Sequence, residues 1–380
     1  MNIRKLSRID DYMKKHIELI PGATILVEHN GKRVYENNFG VDRKDSIYRI
    51  MSMTRPITAL AAMILYERGE LDLMEDISRY LPAFANIKVA ALGGLKDPDR
   101  AIIIKDLLNM TSGIVLPGDY GQAGQSMSKA YREARVQKRS GILKSNVDIA
   151  SKFADSVLMF SPGTSFHYGL GADILGAIIE IISGTRFSDF LKKEILGPLN
   201  MSETDFRIDG DKAFRQAIMM GKPDKKGKIT RADANTLAKF EMEAPFDEPW
   251  YESGGIGLYS TVEDYVHFCQ MLLNKGAFHG KEIIGRRTYE LMTSNHLTDE
   301  QQKEFGRNGY GYGCYYNILT DPIMASSNGV AKSIEVTGEA GTYFCVDQEE
   351  GLIIMYMSQI DGGVSPTFIR GLRQIVYGSM

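Results

Sequence analysis

Hydrophobic and polar positions change rhythm several times along the chain, and each rhythm names an element. Leu6, Ile9, Met13, Ile17 and Ile20 recur at helical spacing, which predicts an amphipathic helix over residues 5–19 closed by Pro21. Strand-like runs at 23–29 and 33–39 then flank Asn30-Gly31. Both turn residues tolerate positive φ, so this pair predicts a tight hairpin. The other end of the chain repeats the arrangement: strand-like runs at 342–346 and 352–358 are joined by a turn ending at Gly351, and 368–377 looks helical. Between about 85 and 245 the texture differs, with helical patterns at 106–110, 173–182 and 187–195, long polar loops, a polar stretch at 118–140 and a charged stretch at 222–228. No repeat of fixed period and no low-complexity linker is visible. The simplest architecture is α/β (α+β): an antiparallel sheet flanked by the N- and C-terminal helices, with a mostly helical subdomain inserted in sequence. The division this predicts is residues 1–85 plus 246–380 for the sheet and 86–245 for the helices, with an active site between them, where pockets commonly form.

Composition narrows the classes. The chain has 380 residues, 43% of them apolar, besides 38 glycines, enough to bury a large core and to exclude wholesale disorder. Lys and Arg (45) nearly balance Asp and Glu (48), and no basic stripe stands out, so nucleic acid is not an expected partner. No run approaches the ~20 apolar residues of a spanning helix; the best, 174–182, is interrupted by Gly176 and Glu180. Residues 1–15 are charged throughout and lack the apolar run of a signal peptide, so the expected location is cytoplasmic. Cys269, Cys314 and Cys345 are odd in number and far apart, which suggests neither a disulfide framework nor a zinc site. There is no G-x-S-x-G elbow, no phosphate loop, no H-E-x-x-H helix and no C-x-x-C pair, and Gly309–Gly313 does not fit a dinucleotide fingerprint. Metal and nucleotide enzymes are thereby disfavoured, and no cofactor is expected.

One segment invites chemistry. Ser52-Met53-Thr54-Arg55-Pro56 precedes Ile57, Leu60, Ala61, Ile64 and Leu65 at helical spacing. Proline is tolerated only in the first turn of a helix, so Ser52 lies at the helix start. There the free amides and the dipole favour negative charge developing on an oxygen. Arg55, three residues on, comes round to the same face. S-x-x-[KR] alone is a cheap pattern, equally readable as a helix cap beside a solvated arginine. Ser126-Met127-Ser128-Lys129 and Ser183…Arg186 match it too.

Context separates them. The run from Ser52 through Gly69-Glu70-Leu71-Asp72-Leu73 and Tyr80-Leu81-Pro82 resembles the serine β-lactamase and penicillin-recognising superfamily, in particular its esterase-like class C branch. The resemblance continues at Leu107-Leu108-Asn109-Met110-Thr111-Ser112-Gly113, at Ser161-Pro162-Gly163 through Tyr168-Gly169-Leu170-Gly171, at Ser253-Gly254-Gly255-Ile256-Gly257-Leu258, and at Ala340-Gly341-Thr342-Tyr343-Phe344. These anchors stand in the family's order. The resemblance implies a β-lactamase/transpeptidase-like fold, Ser52 as acyl-accepting nucleophile, Tyr168 at the position of the catalytic tyrosine, and no cofactor or metal.

Two departures from the family pattern shape the expected chemistry. The lysine of S-x-x-K is Arg55, and a guanidinium does not lose its proton. Arg55 can orient Ser52 and stabilise a neighbouring phenolate, which leaves Tyr168 as the base. The family's third motif, K-T-G, falls at Val336-Thr337-Gly338 and lacks its cation. That argues against β-lactamase or peptidase activity and for a neutral or apolar small-molecule acyl substrate, with Val336, Thr337, Gly338 and Glu339 lining the pocket. The backbone amides of Ser52 and Glu339 would form the oxyanion hole, and the Glu339 carboxylate would stand at the pocket mouth or point to solvent. Three readings follow: a serine acyl hydrolase acting on esters, an acyltransferase using the same acyl-enzyme, and a catalytically silent binding protein of the same fold.

Overall fold

The structure is a computed structural model and describes all residues except 223, 225–227, 241 and 243–244. The charged stretch at 222–228 therefore lies in part outside the described residues. Seven strands form the main sheet: β1 (Gly22–His29), β2 (Lys32–Gly40), β3 (Tyr310–Gly313), β4 (Tyr316–Leu319), β5 (Ile334–Gly338), β6 (Thr342–Asp347) and β7 (Leu352–Met357). Their order is β2-β1-β7-β6-β5-β4-β3, and every pairing is antiparallel. The longer helices are α1 (Arg8–His16), α2 (Thr54–Glu67), α3 (Gly121–Arg139), α4 (Gly171–Ser183), α5 (Val262–Leu273) and α6 (Pro366–Tyr377).

The two chain ends meet in the middle of this sheet because their hairpins pair with each other, Leu26 opposite Met355. Asn30 and Gly31 take φ values of 51° and 70°, the left-handed conformations that a two-residue hairpin turn requires. β7 is buried on both faces, which explains its unbroken apolar run. Ile353, Met355 and Met357 face the large core shared with α2, α4 and α5. Leu352, Ile354 and Tyr356 face a second core closed by Ile9 and Met13 of α1 and by Phe368, Leu372 and Val376 of α6. Each such aliphatic side chain contributes about 1.5–3 kcal/mol on burial, so the terminal helices are bound to the sheet by several residues apiece. The expected antiparallel sheet with terminal helices on it is what the chain forms.

Three elements differ from expectation. The helix expected over 5–19 is two short helices, Ile3–Leu6 and Arg8–His16, joined at Ser7. Residues 118–140 hold the 19-residue α3 rather than an irregular polar stretch. Its buried stripe is narrow and built mostly of small residues, Ala123, Met127, Ala130 and Ala134, a pattern that leaves almost no hydropathy signal. The helix expected at 106–110 runs Ile104–Leu108 instead, because the Asp106 carboxylate accepts from the Ile103 amide at 3.0 Å and starts it earlier. Among the described residues no helix is long and apolar enough to cross a membrane.

Candidate active site

Ser52 sits in a single 3₁₀ turn, Met51–Met53, that leads directly into α2. Met51 has φ 49°, a left-handed conformation costly for a side-chain-bearing residue. The surroundings hold it in place. Ile50 N donates to Leu258 O at 3.0 Å, the Thr342 hydroxyl donates to Ile50 O at 3.0 Å, and the Tyr265 hydroxyl donates to Met53 O at 2.7 Å. Gly338, at the end of β5, makes room for this turn: a Cβ there would stand 2.6 Å from Ile50 O and 3.3 Å from Met51 Cβ. The last residue of the V-T-G segment is thus glycine because the nucleophile turn lies against it. Pro56 is the third residue of α2, so the placement of Ser52 at a helix start holds.

Ser52, Arg55, Tyr168, Val336, Thr337, Gly338 and Glu339 all line one cavity of about 1240 Å³. Ser126 and Ser183 do not. The Ser126 hydroxyl donates to Ala123 O at 2.9 Å within α3 and accepts from Val157 N at 3.1 Å, and Ser183 lies at the far end of α4. Leu116, Phe166, Ile256 and Phe305 give the cavity apolar walls. Val336 is buried in the main core and offers the pocket no charge. The amides of Ser52 and Glu339 donate no hydrogen bond among the described residues. The Glu339 carboxylate is exposed and lies 3.2 Å from Lys239, which also pairs with Asp361 at 2.9 Å.

Arg55 is 1% exposed. Its Nη1 donates to Gly169 O at 2.9 Å, and its guanidinium carbon lies 4.3 Å from the centroid of the Tyr168 ring and 5.9 Å from that of Tyr315. Burial presses its pKa down, but Tyr168, Asp173, Tyr312 and Tyr315 together push it up, so the side chain is a permanent cation. Ser52 Oγ has no hydrogen-bond partner among the described residues and stands open to the cavity.

Sequence reasoning missed three neighbours. Tyr312 and Tyr315 are buried, and burial pushes both phenols well above their ordinary range against the pull of Arg55. Tyr168 is half-buried and is the tyrosine nearest Arg55. Asp173, in the first turn of α4, is 6% exposed. Burial raises its pKa, while Arg55, the Ser253 and Tyr251 hydroxyls and the Gly255 amide act to lower it. The signal that could have found it is an acidic residue inside an otherwise apolar helical pattern five positions after Tyr168. Among the described residues, no cluster of His, Cys, Asp and Glu is arranged to hold a metal ion.

A large antiparallel sheet carries the terminal helices, and Ser52, Arg55 and Tyr168 line one cavity beside it. The chain belongs to the Beta-lactamase family, which it matches over residues 9–376. It is 30% identical over 367 residues to Protein Rv1367c of Mycobacterium tuberculosis, covering 90% of this chain and 86% of that one. It is 25% identical over 391 residues to Esterase EstB of Burkholderia gladioli, covering 98% and 94%. Among solved structures it is similar in fold to EstCE1, described as a hydrolase with promiscuous acyltransferase activity, with a TM-score of 0.81 at 22% identity over 99% of both chains. The resemblance read from the ordered motifs therefore holds along the chain.

Proposed function

We propose that the protein is a serine acyl hydrolase that cleaves small esters with neutral or apolar acyl groups. Ser52 Oγ attacks the ester carbonyl and Tyr168 accepts its proton, while Arg55 supplies fixed positive charge beside the tyrosine. The carbonyl oxygen becomes an oxyanion held by the amides of Ser52 and Glu339. As the intermediate collapses, the alcohol leaves with the proton from Tyr168, and the acyl group stays on Ser52. Water, giving its proton to Tyr168, then attacks this acyl ester, and the acid is released as Ser52 Oγ leaves with that proton returned from Tyr168.

The observation that carries the reading is the convergence of Ser52, Arg55 and Tyr168 on one cavity, with the Arg55 guanidinium 4.3 Å from the Tyr168 ring. Similarity to an esterase along nearly the whole chain supports the same class. The cavity, about 1240 Å³, leaves room for an alcohol beside the acyl group, and the likeness to EstCE1 makes acyl transfer the second reading. In that case an alcohol replaces water in the second half of the cycle. Hydrolysis of p-nitrophenyl butyrate by the wild type and by Ser52→Ala tests the class. Loss of turnover in the variant is expected; equal turnover contradicts it, and an inactive wild type favours a silent binding protein.

A further inference from the structure

Arginine in place of lysine changes what the site must contain. A buried lysine can neutralise itself by shedding a proton, whereas a buried guanidinium stays charged. Removing such a charge from water costs several kcal/mol unless an anion and good hydrogen bonds accompany it. Arg55 has one backbone acceptor, Gly169 O, and its Nε has no partner. We infer that Asp173 is a positioning residue for the Ser52 chemistry, its carboxylate being the counter-charge that holds the Arg55 guanidinium over Tyr168. This inference rests on the hydrolase reading above.

The carboxylate is itself held by three donors. The Ser253 hydroxyl donates to Oδ1 at 2.5 Å and the Tyr251 hydroxyl at 3.1 Å, and the Gly255 amide lies at 3.4 Å. Three donors on one oxygen suit an ionised carboxylate. Gly255 also marks how close the two charges come. A Cβ on it would stand 2.6 Å from Asp173 Oδ2 and 3.3 Å from Arg55 Nη2. That puts the pair inside the ~4–6 Å over which an opposite charge holds its partner ionised. No direct ion pair joins them among the described residues, so Asp173 balances Arg55 without drawing it off the tyrosine face. The other groups around the pair are phenols: Tyr168, Tyr312 of β3, Tyr315 in the β3–β4 turn, and Tyr251. Asp173 thus offsets the Arg55 charge beside Tyr168.

The test is the pH dependence of Ser52 labelling by a fluorophosphonate, followed by intact mass, in wild type, Asp173→Asn and Asp173→Glu. Asparagine keeps the shape and removes the charge, so an uncompensated cation stands beside Tyr168. The rising limb of the labelling rate is expected to move to lower pH by about 1 unit or more, with a lower plateau because Arg55 is less well held. Glutamate restores the charge and returns the limb to its wild-type position even if the plateau stays low. A purely structural role lowers the plateau in both variants and moves neither limb; that result overturns the inference. If Asp173→Asn does not fold, Asp173→Ser serves, since it also removes the charge with a smaller side chain. The same shift of the limb to lower pH is expected, and an unmoved limb overturns the inference. Wild type that labels at Ser52 with profiles superimposing on Asp173→Asn removes Asp173 alone. Wild type that never labels removes the hydrolase reading with it.

Discussion

Gly338→Ala perturbs the contact between the end of β5 and the nucleophile turn by a single methyl group. The new Cβ would stand 2.2 Å from Thr342 Oγ1, 2.6 Å from Ile50 O and 3.3 Å from Met51 Cβ. Thr342 can rotate away, at the loss of its hydrogen bond to Ile50 O, which costs about 0.5–1.5 kcal/mol. Ile50 O is backbone, fixed through Ile50 N to Leu258 O, so β5 must retreat by several tenths of an ångström. Overpacking of this kind destabilises by about 1–3 kcal/mol and lowers Tm by several degrees. The catalytic effect is larger, because the retreat separates the Glu339 amide from that of Ser52. Losing one oxyanion donor costs about 10²–10³-fold in turnover. Measuring kcat/KM on p-nitrophenyl butyrate beside a thermal melt separates the two effects. A variant that melts a few degrees lower yet keeps kcat/KM within threefold of wild type would refute the role given to the end of β5.

Other consequences follow from the same geometry. Tyr168→Phe is expected to lower turnover by about 10²–10⁴-fold with an unchanged melt; near-native turnover means another base operates. Arg55→Ala should abolish acylation and also destabilise by about 3–5 kcal/mol, since it leaves the Asp173 carboxylate buried without its counter-charge. Arg55→Lys should retain acylation, and equal rates in wild type and both variants would make Arg55 a bystander. Away from the site, burial raises the Asp42 carboxyl to about 6, partly offset by the Tyr48 hydroxyl. An acid held above its ordinary value favours folding below about pH 4 and loses that contribution as pH rises through 6. Asp42→Asn should therefore gain stability relative to wild type as pH rises from 4 to 8, by at most about 3 kcal/mol and less after solvent screening, read as a pH-dependent rise in Tm. A melting difference that does not change with pH contradicts this.

The hairpin at Asn30-Gly31, strand β7 and the terminal helices were legible because each is written in local chemistry: turn residues with positive φ, an apolar run, a helical stripe. Ser52 was legible through Pro56, which fixes where α2 starts. α3 was not, since alanines and one methionine carry its buried face and the rest is polar. The partners of Arg55 were hidden for another reason. Tyr312 and Tyr315 reach it from β3 and its turn, long-range packing that leaves no mark of spacing in the chain, and Asp173 shows only as an acidic position in an apolar helical pattern. The Lys239–Glu339 pair is of the same kind. It ties the exposed Glu339 carboxylate to a lysine shared with Asp361.

Peptide mapping after fluorophosphonate treatment bears most directly on the chemistry assigned to Ser52. One adduct per chain, confined to the peptide bearing Ser52 and absent from Ser52→Ala, is the predicted result. An adduct on Ser126 with Ser52 unmodified, or no adduct on a folded wild-type chain that still cleaves esters, would contradict it.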